Sequence, residues 1–201
     1  GPNMAGPFGL MLPLADGVKM LTKEDTTPAN ADRWVYLIAP LMISAFAMTS
    51  MAVVPFAPNV VGTNLDIGAF FYIAIGSGST IAILMAGWGS NNKYSLLGAF
   101  RTVAQLVGYE VPMLLNVLPV VMLTGSMSLV DIINKQTNVG DGYGFPFILF
   151  LPLSALVFII SGIAETGRSP FDLMEAESEI VAGFHVEYSG MKFALFMMGE
   201  Y

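Results

Sequence analysis

Long apolar blocks alternate along this chain with short polar stretches rich in glycine, asparagine and charge. Residues 34–56, 67–88, 103–123 and 145–164 form four blocks of about 20 residues or more. Each is enough, at ~1.5 Å of rise per residue, to cross a hydrocarbon layer of about 30 Å. A single charge, Glu110, interrupts them. Backbone groups in lipid must be paired within their own segment, so the blocks predict helices. Pro40, Pro112, Pro119 and Pro152 predict local kinks. A shorter apolar run, residues 191–201, reads as the start of a further spanning helix. The chain as a whole reads as an internal piece of a larger membrane protein.

Ahead of the first block, residues 8–21 place Phe8, Leu10, Met11, Leu14, Val18 and Leu21 at helical spacing, with Asp16 and Lys19 among the polar positions. This predicts a short amphipathic helix lying in the membrane interface, bent at Pro13. Asp16 and Lys19 form an i, i+3 surface pair. The fold class expected is therefore an all-α integral membrane protein. It is a polytopic helix bundle with kinked spans, one interfacial amphipathic helix and an acidic loop over residues 165–190.

Composition reinforces the pattern. Of 201 residues, 55% are hydrophobic and only 11% charged, against about 25% charged in a soluble domain. The net charge of −7 removes the basic footprint that a nucleic-acid partner requires. Cysteine is absent and His185 is the one histidine. Disulfides, cysteine-ligated iron–sulfur clusters and a multi-histidine metal site on this chain are thereby excluded. Any redox chemistry must draw its electrons from another subunit. Orientation follows from the cations. Lys19, Lys23, Arg33, Lys93, Arg101, Arg168 and Lys192 fall on one side of the predicted spans, and of the 8 basic residues only Lys135 falls on the other. The positive-inside rule places the first side, with Trp34 and Trp88 at its interface, in the cytoplasm or its equivalent.

Two features carry candidate chemistry. In residues 165–187, Glu165, Asp172, Glu175, Glu177, Glu179 and Glu187 crowd around one cation, Arg168. Ser169, Pro170 and Asp172 have the form of a helix start, which puts Asp172, Glu175 and Glu179 on one face. Two readings remain open: a solvated acidic face, or carboxylates lining a wet cavity where repulsion and desolvation perturb them. The apolar neighbours Phe171, Ile180 and Phe184 favour the second. Glu110 is the other feature. A carboxylate inside a span, with no cation in that span, must face protein or water, or hold a proton.

Weaker signals receive structural readings. Gln105 and Asn116 lie within about 20° on a helical wheel and predict interhelical hydrogen bonds, while Glu110, about 140° from Gln105, addresses a different neighbour. "GSGST" at 76–80 predicts close helix packing rather than a phosphate loop, since no lysine follows it. Methionine and phenylalanine mostly fill lipid-facing and core surface, and some could line a pocket for an apolar ligand. His185 reads as a satisfied interfacial residue.

Three stretches then acquire a family likeness: "GPNMAGPFGLMLPLADGVKMLTKED", "SNNKYSLLGAFRTVAQLVGYEVP" and "AETGRSPFDLMEAESEIVAGFHVEYSGMKFALFMMGEY". Together they resemble the quinone-site membrane subunit of respiratory complex I, the NADH:quinone oxidoreductase of bacteria and mitochondria. The resemblance implies a spanning helix before Gly1 and more after Tyr201. It implies a quinone tunnel bordered by Asp16, Lys19, Arg168, Asp172, Glu175, Glu177 and Glu179. It further implies a proton path through Glu110, Glu165, Glu187 and Glu200. Quinone is then the substrate, with no catalytic residue or metal on this chain alone, and iron–sulfur clusters and flavin reside in partner subunits. The implied partners are hydrophilic-arm quinone-site subunits, adjacent membrane-arm subunits and lipids. The implied location is an energy-transducing membrane, a bacterial plasma membrane or a mitochondrial inner membrane. Met4, Leu12, Met174 and His185 depart from the common family pattern. The homologous membrane component of an energy-converting hydrogenase is the nearest alternative, and a stand-alone ion channel or transporter built around Glu110 is a second.

Overall fold

The computed structural model describes residues 6–57, 60–137, 144–171 and 183–200. Within them the fold is helical: α1 (Leu12–Thr22), α2 (Arg33–Met51), α3 (Gly68–Gly89), α4 (Lys93–Thr124), α5 (Leu129–Thr137), α6 (Pro152–Glu165) and α7 (Gly190–Glu200), with 3-10 turns at Pro7–Gly9, Phe147–Leu149 and Gly183–His185. Among the described residues, α2, α3 and α4 are long and apolar enough to cross a membrane.

Several boundaries differ from those expected, each for a local reason. The amphipathic segment is divided. Phe8, at φ 56°, sits in the first 3-10 turn, and Pro13 lies in the first turn of α1, where its missing N–H costs nothing. The third block belongs to a helix of 32 residues that starts at Lys93 rather than near residue 103. Asn92 accepts from the Tyr94 N–H at 3.0 Å and starts it there. The polar stretch from Lys93 to Arg101 is therefore the first part of the helix and not a loop ahead of it. The fourth block does not form one spanning helix: after a 3-10 turn, the α-helix begins only at Pro152, which occupies the first turn of the 14-residue α6 rather than its interior. Pro40, Pro112 and Pro119 do lie inside helices. Helix α5, which the apolar blocks do not predict, carries Asp131 in its first turn, and the Asp131 N–H reaches Ser128 Oγ at 3.4 Å. Ser128 with Asp131 three residues on was the available signal.

Small residues let the helices approach. A Cβ on Gly98 would stand 2.6 Å from the Gly183 carbonyl carbon, and one on Gly89 would stand 2.9 Å from the Tyr36 nitrogen. The "GSGST" segment behaves as packing surface within α3, where a Cβ on Gly78 would meet the Phe46 ring at 3.0 Å. The main core gathers Tyr36 and Ile43 of α2, Ala82, Ile83 and Ala86 of α3, and Ala99 and Leu106 of α4 around Phe184, Tyr188 and Phe196. That core ties the chain's last segment to the three long helices. A second, smaller core forms at the opposite end from Ala69, Ile132 and Phe147.

Candidate functional site

Glu110 sits half-buried on α4, and Glu165 half-buried at the C-terminus of α6. These two helices pack along each other. The Glu110 charge is close enough to be felt at Glu165. Gly76 of α3 completes the surroundings, since a Cβ there would lie 3.9 Å from Glu165 Oε1. Glu165 thus lies beside α3 and within electrostatic reach of Glu110 on α4. Glu110 reaches Glu165 through its charge and Gln105 reaches the α6 end by hydrogen bonds.

Gln105 reaches from α4 to that same end. Its Nε2 donates to the Ala164 carbonyl at 3.2 Å and to the Phe171 carbonyl at 2.9 Å. One turn on, Tyr109 meets Phe171 edge to face at 5.2 Å between centroids. The interhelical role expected for Gln105 is realised. Asn116 differs: it donates within its own helix to the Pro112 carbonyl at 2.7 Å. Beyond Glu110, α4 borders an apolar cavity of about 490 Å³ whose lining includes Met113, Asn116, Ile132, Phe147 and Phe158.

The remaining predicted residues divide. Asp16 and Lys19 pair at 2.9 Å with both side chains more than half exposed, a surface contact of small energy. Arg168 lies in the turn after α6, its N–H donating to Ile163 O at 3.2 Å. Ser169 and Pro170 form a turn rather than the first turn of a helix, joined by a cis peptide. Asp172, Glu175, Glu177 and Glu179 lie outside the described residues. So does the side chain of Glu200, whose backbone ends α7.

Glu187 belongs to a different construction, at the end where α2 and α4 begin and α3 finishes. Asn92 Nδ2 donates to Glu187 Oε1 at 2.6 Å, and the Tyr36 hydroxyl donates to the Glu187 carbonyl at 2.7 Å. Tyr36 stacks on Tyr188 with centroids 4.1 Å apart, and the Tyr188 hydroxyl returns a bond to the Tyr36 carbonyl at 3.2 Å. Burial and the neighbouring Tyr36 push the Tyr188 phenol above its ordinary range. Lys192 pairs with Asp25 at 2.9 Å and lies 5.0 Å from the Tyr36 ring centroid. Ser189 binds both the Glu24 carbonyl and Thr26. The tyrosines, Asn92 and Lys192 were missed as a group, since nothing local to any one of them announces partners so far away in the chain.

His185 is buried, not interfacial and satisfied as expected. It is 6% exposed, its Nδ1 has no partner, and it is flanked edge to face by Phe184 at 5.0 Å and Phe193 at 5.2 Å. Burial pushes its pKa down to about 4, so the ring is neutral at pH 7. Among the described residues, no group of three or more histidine or acidic side chains is placed to hold a metal ion.

Spanning helices with two half-buried carboxylates between them define an all-helical integral membrane protein. The family is equally clear. The profile of the NADH dehydrogenase family matches residues 1–201. The chain is 53% identical over 201 residues to the H subunit of the NADH-quinone oxidoreductase of Dehalococcoides mccartyi (strain CBDB1), covering all of this chain and 55% of that protein. It is 48% identical over 210 residues to the second H subunit of the NADH-quinone oxidoreductase of Geobacter sulfurreducens, covering all of this chain and 62% of that one. The chain belongs to the NADH dehydrogenase family, as its membrane subunit, and spans little more than half the length of these curated relatives.

Proposed function

We propose that this chain is part of the membrane subunit that helps form the quinone tunnel of a proton-pumping NADH:quinone oxidoreductase and passes quinone-linked charge changes to the pumping membrane arm. The observation that carries this reading is the Glu110–Glu165 pair, two acids on different helices within electrostatic reach of each other in a membrane bundle. The names of the relatives at about half identity support the quinone as substrate. Electrons arrive through iron–sulfur clusters and flavin in partner subunits. Each quinone reduced to quinol takes up two electrons and two protons, so the charge balance beside the tunnel changes at every turnover.

In a medium of low effective dielectric, a carboxylate responds to such a change by gaining or losing a proton. Arg168, Asp172, Glu175, Glu177 and Glu179 line the tunnel side, with Asp16 and Lys19 at its border. Glu165 and Glu110 hand the change from the loop into the bilayer, and Glu187 and Glu200 extend the path. The acidic loop faces the cytoplasm or matrix. In the intact complex, Glu110→Gln keeps the size of the side chain and removes its ionisable proton. The expected result is at least a tenfold loss of NADH-driven proton pumping. Pumping at the wild-type rate would overturn the role of Glu110.

A further inference from the structure

A single neutral side chain holds the segment that carries Glu165 out of α6. Gln105 donates both amide hydrogens into it, one to Ala164 O at 3.2 Å before Glu165, the other to Phe171 O at 2.9 Å after it. Ala164 is fully buried against α4. Between the two anchors the chain closes on itself. The Gly167 N–H donates to Ala164 O at 3.3 Å, the Arg168 N–H to Ile163 O at 3.2 Å and the Phe171 N–H to Arg168 O at 2.8 Å. Gly167, at φ 60°, takes the left-handed conformation that ends the helix. Tyr109 seats the Phe171 ring from the same face of α4. The segment is thus a small rigid loop, and Gln105 pins it to the helix that carries Glu110.

We propose that Gln105 is a positioning residue whose two hydrogen bonds set the separation of Glu110 and Glu165, and with it the passage of protons between them. The proposal rests on the relay reading above. An amide suits the task. It donates strongly to carbonyls, carries no charge and has no titratable proton of its own, so it orders two acids without competing for what they exchange. The coupling of two charges depends on their distance, so a shift of α6 against α4 alters it directly.

The test uses the intact complex in liposomes, with NADH and a short-chain ubiquinone. Gln105→Met keeps the shape and removes both donors. The expected result is about a tenfold lower rate of coupled proton pumping, the effect of losing two ordinary hydrogen bonds, with the KM for quinone unchanged. Gln105→Glu can donate one of the two bonds only while protonated. The charged groups of this junction are Glu110 on the same helix and Glu165 on α6, with Arg168 in the loop between the two anchors. The activity of Gln105→Glu therefore recovers toward acid pH, whereas Gln105→Met stays low throughout.

A merely structural role moves the two variants together at every pH, and that result would overturn the proposal. So would wild-type pumping by Gln105→Met. Where that variant fails to assemble, as judged on native gels, Gln105→Asn retains the donors on a shorter arm. Pumping reduced severalfold in Gln105→Asn supports the proposal, and wild-type pumping overturns it. A wild-type complex without quinone-linked pumping overturns the relay reading and this inference together.

Discussion

Glu187 and Glu165 are acids of one short stretch of chain, yet the structure treats them in opposite ways. Glu187 is tied down: Asn92 donates to its carboxylate, Tyr36 to its carbonyl, and the stacked tyrosines close over the junction. Glu165 has another acid within electrostatic reach and a glycine where a side chain could have filled the space. The first arrangement is what stability selects: polar groups paired and aromatic surface buried. The second leaves two acids half-buried in a membrane bundle, an arrangement that costs stability. Acids that resemble each other in sequence are separated into a fastening and a like-charged pair by what the fold sets opposite them.

The largest expected effect tests the fastening. Tyr36→Ala removes a fully buried ring together with its stack and hydroxyl bond. A loss of about 3–5 kcal/mol is expected, read as reduced assembly and a lower thermal midpoint of the complex. A wild-type midpoint would show that the junction is not what joins the last segment to α2.

Next in size is the pH response of the same region. His185 has its folded pKa lowered to about 4 from an ordinary 6.5. Above pH 6.5 the ring is neutral whether the segment is packed or opened, and it makes no pH-dependent contribution. As pH falls from 6.5 to 4 the opened form takes up a proton that the packed form refuses. Packing therefore weakens by roughly 3 kcal/mol across that window and changes no further below it. Hydrogen exchange of residues 183–189 should accelerate as pH is lowered through the window, after correction for intrinsic rates, and His185→Phe should abolish the acceleration.

The like-charged pair should respond with the opposite sign. Glu165→Gln removes one of two like charges, so stability should rise by about 1 kcal/mol while coupled pumping falls. A stability loss as large as that of Tyr36→Ala would place Glu165 with the fastening residues and erase the contrast. The smallest effect sets the baseline. Asp16→Asn breaks an exposed pair and should cost less than about 1 kcal/mol, vanishing in high salt.

Much of this was legible along the chain. The first three apolar blocks locate α2, α3 and the body of α4, and Glu110 is conspicuous because nothing near it in sequence explains it. What escaped was whatever depends on partners distant in sequence. Asn116 and Gln105 share a wheel position, yet one bonds back to its own helix at Pro112 while the other crosses to α6. The fourth block matched a span in length but spent its first residues on a turn before Pro152.

Hydrophobic pattern and short-range chemistry determine by themselves that this chain is helical, lipid-embedded and punctuated by acids, because burial in a bilayer and backbone pairing within a helix are local demands. Only the tertiary structure decided which acid faces which. That choice turns on helix contacts between residues far apart in the chain, set by where glycines allow two backbones to meet and where one amide can reach across.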